Sequence, residues 1–268
     1  MLAWNSYCQH LLSKGTINNL SEAFTKRKTI KHIKSMSHYT STQTQSGVMI
    51  SSLFKSLYMQ MAAALTLTGI TAYFLSQSAA FLSYLMTNPS LLWICMFAEL
   101  GVVLLLSARV MRMSMSSATL LFILYSVLTG VTFSTIFLVF DLGTIASAFF
   151  VTAGTFFAMS LIGYVTKMDL SRIGNVLYMM LIGLLIATIV NIFVASTTLY
   201  WITTYAGVII FVGLIAWDTQ KLKQIFYEYG TDDENGQKLA LLGALTLYLD
   251  FINLFLFLLR IFGGSSRD

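Results

Sequence analysis

The chain has 268 residues, of which 57% are hydrophobic and 10% are charged, and its formal net charge is +5. Soluble domains carry about 25% charged residues, so this composition excludes a soluble globular fold and indicates a membrane protein. The positive charge lies in the N-terminal tail and in the loops between apolar segments, so it does not call for a nucleic-acid partner.

The first fifty residues are polar, basic and rich in Ser and Thr, and Glu22 is their only acid. We expect residues 1–50 to form a disordered or interfacial tail. No apolar run follows the early charges, so a secretory signal is not predicted. A mitochondrial presequence in TKRKTIKHIKS is an alternative, but arginine is scarce there. A cytoplasmic tail that favours anionic lipid, or an overlong start before Met36 or Met49, is the preferred interpretation.

Seven apolar segments of 18 to 23 residues without Lys or Arg follow the tail. Each is long enough to cross a hydrocarbon core of ~30 Å as a helix. They are residues 57–75, 91–108, 118–140, 144–165, 173–195, 199–217 and 239–259. We therefore predict an all-α membrane protein with a seven-helix transmembrane bundle in residues 51–264 and a short C-terminal tail at 265–268. A six-helix arrangement with a re-entrant last segment is the alternative.

The basic residues are distributed unequally between the two sides that seven crossings define. Fourteen of the sixteen Lys and Arg residues fall on the side of the N-terminus, and only Arg260 and Arg267 fall on the other. The positive-inside rule then predicts a cytoplasmic N-terminus. We expect a multi-pass integral membrane protein, and a mitochondrial inner membrane is the less favoured location.

Polar residues inside the second and fifth segments are few. Glu99 lies in the middle of the second segment, where an acid is expected to face the protein interior. It is a candidate stop on an ion path, or it makes a structural hydrogen bond to a Ser, Thr or Asn on a neighbouring helix, with Asn191 or Tyr125 among the candidates. Asn191, in the fifth segment, is a second ion-path candidate. Arg109 ends the second segment and is either a counter-ion or a simple flanking charge.

The sixth and seventh segments carry one aspartate each. Asp218 closes the sixth segment in WDTQKLK, and Asp250 lies within the seventh. Gly243, Thr246, Asp250 and Asn253 follow one another at spacings of three, four and three, which places them on one helix face. We expect that face to look into the bundle, with Asn253 as another ion-path candidate, because lipid offers it no partner. A packing seam with one tolerated acid is the alternative.

Several classes of membrane enzyme are not expected, because the membrane segments lack the residues that these enzymes require. The three histidines, His10, His32 and His38, all lie in the tail, so zinc hydrolases and His-activated serine hydrolases are not expected. The seventh segment has no lysine for a retinal Schiff base. Cys8 and Cys95 indicate neither a disulfide framework nor a zinc site. We therefore expect a protein without catalytic residues or a bound cofactor.

The two aspartates are candidates for a pair. About twenty residues link the sixth segment to the seventh, and Asp250 lies about 16 Å along the seventh helix. Contact therefore requires the sixth helix to extend or tilt inward past Trp217. Two carboxylates in a poorly solvated cavity cannot both ionise cheaply, so such a pair would respond to pH. Ionised, Asp218 and Asp250 are candidate contacts for a hard divalent cation, with Arg109 as the natural counter-ion.

Several stretches together resemble the bacterial branch of the Bax inhibitor-1 family, also called the transmembrane Bax inhibitor motif family. The resemblance covers residues 51–264 and leaves out the tail. It is carried by LLLSARVMRMS, LYSVLTGVTFSTIF, FFVTAGTFFAMSLIGYVTKMDLSRIG, IVNIFVAS, IAWDTQKLK and LTLYLDFINLFLFLLRIFG.

The resemblance implies a seven-helix bundle with the last helix in the centre, located in a bacterial inner membrane. It also implies a pH-sensitive calcium leak whose sensor aspartates map to Asp218 and Asp250. The family's latching arginine maps to Arg109, and a glutamate of its second helix maps approximately to Glu99. Other bacterial relatives restrain an ATP-dependent membrane protease, and eukaryotic ones are linked to protection from cell death.

Two hypotheses of different class follow. The first is a passive, pH-gated leak for calcium, in which Asp218 and Asp250 gate, Arg109 latches and the last helix moves. The second is an interaction protein that regulates a membrane protease or another membrane complex through its basic tail. A proton-coupled transporter ranks third, because no broken helix pair or clear inverted repeat is visible.

Overall fold

The computed structural model describes residues 39–264, with side chains described from residue 47. The expectations for residues 1–38 and 265–268 lie outside the described residues. Eight α-helices occur in the described range, and no strand occurs there. They are α1 (Tyr39–Ser76), α2 (Ala79–Thr87), α3 (Pro89–Arg109), α4 (Met115–Phe133), α5 (Leu142–Val165), α6 (Ser171–Val194), α7 (Thr197–Tyr229) and α8 (Glu234–Gly264). Short 3₁₀ turns, Val110–Arg112 and Ser134–Leu138, follow α3 and α4. The helix α1 begins inside the segment that was predicted as tail.

Every helix except α2 is long and apolar enough to cross a membrane, which confirms the predicted all-α bundle with seven spans. Several helix starts follow directly from the sequence. Ser78, Ser114, Asp141 and Ser196 each accept a hydrogen bond from the backbone N–H three residues further on, which caps the first turn. Pro89 opens α3, where its missing N–H costs nothing.

The last helix occupies the centre of the bundle. In its most apolar stretch 89% of the residues are buried, against 17% to 44% in the other spans. It packs against α1, α4, α5 and α7, and α6 and α3 lie outside, mainly against α7 and α4 respectively. This confirms the central position of the last helix. Because α8 is one continuous helix of 31 residues, the re-entrant alternative is wrong.

The helix α7 is longer than the hydropathy predicted. It runs on to Tyr229, so Asp218 lies well inside it and does not close it. A loop of only four residues, 230–233, then leads into α8. The predicted end near residue 217 and the long linker are therefore wrong. The lysines after Asp218 lower the hydropathy, but the segment stays helical because Leu222 and Phe226 are buried against the bundle.

Candidate functional site

Asp218 and Asp250 meet at the interface between α7 and α8. Asp218 is 7% exposed and Asp250 is fully buried. A side-chain hydrogen-bonding contact joins the two carboxyl groups. The contact needs no special tilt, because α7 continues past Trp217 and the short loop returns α8 alongside it. The pair therefore lies among apolar side chains, where two carboxylates are costly unless they share a proton or a cation.

Close packing of α7 against two outer helices fixes the side from which Asp218 projects. A Cβ added at Gly163 of α5 would lie 2.1 Å from the carbonyl oxygen of Ala216, and one at Gly174 of α6 would meet the Trp217 ring at 2.2 Å. Residues 216 and 217 are thus held against α5 and α6. This leaves the next residue, Asp218, facing α8.

Lys221 places a positive charge near the pair. Its charge interacts with both Asp218 and Asp250, and its Nζ lies 4.9 Å from the centroid of the Trp217 ring. Because Lys221 is one turn beyond Asp218 on the same helix, it moves with Asp218. The sequence offered no signal for this role beyond the spacing of three.

Arg109 does not lie at the pair. Its side chain is exposed at the end of α3, and it makes no ion pair with any residue from 47 to 264. The physical reason is that α3 packs chiefly on α4, and only the following turn, Val110–Arg112, reaches α8. The structure thus brings together two of the three residues of the predicted gate.

A chain of hydroxyl groups begins beside the pair. Thr219, which follows Asp218, is buried and lies 3.1 Å from the Oγ of Ser160 on α5. Ser160 in turn hydrogen-bonds the hydroxyl of Tyr58 on α1. These contacts tie α1, α5 and α7 together. Sequence reasoning missed them, because serine and threonine on different helices show no spacing pattern.

Glu99 is buried, as expected for an acid in mid-span, and its partner is a threonine of a neighbouring helix. Thr132 of α4 donates a hydrogen bond of 2.6 Å to its Oε1. The bond is of the predicted kind, to a Ser, Thr or Asn of a neighbouring helix, but neither of the two named candidates, Asn191 and Tyr125, provides it. Since Glu99 joins α3 to α4, it lies outside the α7–α8 interface that holds the aspartates. A separate bond of 2.8 Å links Tyr248 of α8 to Thr68 of α1.

The two asparagines proposed for an ion path have different environments. Asn191 is at the end of α6, where its Oδ1 accepts from the backbone N–H of Ser196 at 3.0 Å, so it stabilises a helix end. Asn253 is fully buried and donates to the carbonyl of Leu249 at 2.8 Å. Its Oδ1 has no hydrogen-bond partner within the described range. Asn253 therefore remains a candidate, and Asn191 has a structural explanation.

The predicted polar face of α8 is buried at three of its four positions. Gly243 packs against Leu57 and Leu222, Asp250 and Asn253 are buried, and Thr246 is partly exposed. No group of three or more His, Cys, Asp or Glu side chains that could hold a metal ion occurs in the described part of the chain. The carboxylate pair alone offers fewer oxygen ligands than the six to eight that Ca²⁺ takes in a resident site.

Gln220 performs a structural role that the sequence did not indicate. Its buried side chain donates to the carbonyl of Met168 at 2.7 Å and accepts from the backbone N–H of Leu170 at 2.8 Å. These bonds hold the loop between α5 and α6 against α7. The aspartate pair is therefore supported by a fixed loop on one side and by the hydroxyl chain on the other.

A multi-pass helical membrane protein with a carboxylate pair at its central helix is the class that this fold and site define. A family model, Inhibitor of apoptosis-promoting Bax1, matches residues 50–267, and the chain belongs to this family. The resemblance to the Bax inhibitor-1 family is thereby confirmed. The match begins where the tail gives way to the first span.

Curated relatives cover most of the same region. The chain is 52% identical over 209 residues to the inner membrane protein YbhL of Escherichia coli K12, which spans 78% of this chain and 89% of that protein. It is 45% identical over 212 residues to the protein RP147 of Rickettsia prowazekii, covering 79% and 89% of the two chains. A protein of Deinococcus radiodurans is 39% identical over 236 residues, covering 88% and 100%.

Proposed function

We propose that this protein is a passive, pH-gated cation leak of the bacterial inner membrane, with calcium as the main permeating ion and Asp218 and Asp250 as the gate. The observation that carries the proposal is the contact of these two acids on consecutive helices at the centre of an apolar bundle. Acids at such depth are expensive and mark ion or proton pathways. The name of the E. coli relative supports the inner membrane as the location.

The gate works through the protonation of the pair. With one shared proton, the carboxyl groups hydrogen-bond and hold α7 against α8. With both groups ionised, they repel each other in a poorly screened interior and provide oxygen atoms for a hard divalent cation in transit. A shift of α8 relative to α7 then alters the central packing. No bound metal is required, because the ion is cargo.

Lys221 supplies the positive charge that balances the pair. Its interaction with both carboxylates supports this assignment, whereas Arg109 lies exposed at the end of α3. A lysine next to the pair opposes the entry of a cation and lowers the cost of the ionised state. We therefore expect Lys221→Gln to change the pH response of the leak more than Arg109→Gln does. Arg109→Gln also tests the role implied by the family resemblance.

The test is calcium flux into dye-loaded vesicles that contain the purified protein, measured between pH 6 and 8. Flux through the wild type should depend on pH, and Asp218→Asn and Asp250→Asn should each flatten that dependence, because an amide cannot ionise. Asp232→Asn, in the exposed loop before α8, is the matched control and should behave as wild type. An unchanged flux and pH response in both site variants would rule out the gate.

The same vesicles separate the leak from the second hypothesis. A leak needs only the purified protein, whereas regulation of a membrane protease needs a partner and the basic tail. Deleting residues 1–48 should leave the flux intact if the bundle is the pathway. If purified protein produces no flux at any pH, the interaction hypothesis takes precedence.

A further inference from the structure

A cleft opens on the side of the bundle between α1 and α5. Both helices pack against α8, and the gap between them has a volume of about 700 Å³. Phe251 of α8 lies at its inner end, and Phe157 and Leu161, which are 70% and 51% exposed, lie on its wall. Ligand sites in proteins typically have volumes of ~300 to 1,000 Å³. Phe157 and Leu161 are exposed on the outer surface of a membrane-spanning helix, so the cleft opens toward the lipid.

The deep part of the cleft suits hydrocarbon. Its walls are mainly phenylalanine, methionine, leucine and alanine side chains. Four of the lining residues carry hydroxyls, namely Ser51, Tyr58, Ser160 and Tyr164; those of Tyr58 and Ser160 hydrogen-bond to each other, and Ser160 also bonds Thr219. The hydroxyl groups of Tyr58 and Ser160 therefore already have hydrogen-bond partners within the protein. A ligand that enters this part needs no polar group of its own.

Positive charge is concentrated at one end of the cleft. The Nζ of Lys223 donates to the carbonyl of Tyr164 at 2.8 Å and lies 4.8 Å from the centroid of its ring, and Tyr164 lines the cleft. Lys55 is exposed on α1, four residues after Ser51 and three before Tyr58, both of which line the cleft. That spacing places Lys55 on the same helix face. Two cations thus flank the end where α1 enters the membrane.

We propose that this cleft binds an anionic phospholipid, with the phosphate group at Lys55 and Lys223 and one acyl chain inserted toward Ala153 and Phe251. The two lysines at one end of the cleft favour a negatively charged headgroup, and the apolar walls behind them accommodate an acyl chain. These two features together favour an anionic phospholipid over a neutral lipid. The inserted chain touches α8 next to Asp250 and lies one hydroxyl group away from Thr219. The site is separate from the aspartate gate and does not depend on it.

The acyl-chain part of the proposal is tested by filling the cleft. Native mass spectrometry of the full chain in detergent measures bound lipid after addition of dioleoyl-phosphatidylglycerol or dioleoyl-phosphatidylcholine. The wild type should retain the first several-fold more than the second. Ala153→Trp and Ala62→Trp, both in the cleft wall, should abolish this excess. Ala158→Trp, exposed on α5 outside the cleft, is the matched control and should retain it.

The headgroup part is tested by removing charge. Lys55→Gln combined with Lys223→Gln should lower the retention of phosphatidylglycerol to that of phosphatidylcholine, and Lys167→Gln, exposed in the loop after α5, should not. If the tryptophan variants fail to fold, the lysine variants still test the proposal. Equal retention of the two lipids by the wild type would overturn the proposal. So would a dimer that Ala153→Trp dissociates, since that result assigns the cleft to a second copy of the chain.

Discussion

Gly163 shows how much a single methyl group can matter in this bundle. Its ideal Cβ would lie 2.1 Å from a backbone oxygen of α7, which cannot rotate away. We expect Gly163→Ala to force α5 from α7 and to lower stability by about 1 to 3 kcal/mol, the usual cost of overpacking. Thermal unfolding in detergent measures the change.

Gly154→Ala on the same helix provides the control, because no atom lies within 4 Å of the added Cβ. It should leave the midpoint unchanged or raise it slightly, since alanine is the better helix former. Equal midpoints for the two variants would mean that the close approach of α5 and α7 is absent. The comparison also reports on Asp218, whose direction depends on this packing.

At the residue scale, hydropathy could identify Asp250 and Glu99 as buried acids, but it could not identify their partners. Burial follows from the cost of an acid in mid-span, which is a local property. The partner of Glu99, Thr132, and the approach of Lys221 to Asp250 on the next helix depend on how helices rotate against each other. That rotation is set by small residues and ring contacts distributed over the whole chain. The position of Arg109 could not be predicted for the same reason.

At the scale of the helices, a side-chain hydrogen bond joins α3 to α4, and its contribution to stability can be tested. Thr132 joins α4 to Glu99 of α3, whereas the hydroxyl of Thr66 bonds only the Ala62 carbonyl of its own helix. We expect Thr132→Val to lower the thermal midpoint in detergent by an amount equivalent to about 1 to 2 kcal/mol. Thr66→Val is the control and should lower the thermal midpoint by a smaller amount. The reverse order would remove the assigned role of Glu99 as a tie between helices.

The start of α5 should respond to acid. The hydrogen bonds from the side chain and backbone of Thr144 to Asp141 hold the pKa of that carboxyl below its ordinary value. A lowered folded-state pKa means that the cap is fully effective above the ordinary value of about 3.9 and is lost as the pH falls through the folded value. Hydrogen exchange at the Thr144 amide, corrected for its intrinsic rate, should accelerate over that range.

Asp141→Asn separates the cap from the charge. Asparagine also caps helices, but it does not titrate near this pH. The variant should therefore keep the protection of the Thr144 amide and lose its dependence on acid. Persistent pH dependence in the variant would show that another group causes it.

The boundary of α7 illustrates why element ends are harder to predict than elements. Seven spans followed from apolar length alone, and the structure has all seven. The end of α7 could not be predicted from apolar length. Lys221 and Lys223 interrupt the apolar run, but the helix continues because Leu222 and Phe226 are buried. This extension removes the axial distance that seemed to separate the two aspartates. The error in one boundary was therefore also the main obstacle to predicting the site.

For the whole molecule, the charge asymmetry predicts one orientation in the membrane. Fourteen basic residues lie on the side of the N-terminus. Arg260, on the other side, has its guanidinium 5.5 Å from the ring centroids of Tyr200 and Phe257, which reduces its exposure. We expect alkaline phosphatase fused after residue 268 to be active and a fluorescent protein fused before residue 1 to be bright. An inactive phosphatase in cells with normal protein levels would contradict this orientation.

The central position of α8 also determines when the protein can be completed. The ribosome makes this helix after the other six spans, so the surfaces of α1, α5 and α7 that face it are made before α8 exists. Because only four residues separate α7 from α8, these two helices reach the insertion machinery almost together. Assembly of the core must therefore wait until α8 has been made. A chain that stops before α8 therefore lacks the helix against which α1, α4, α5 and α7 pack.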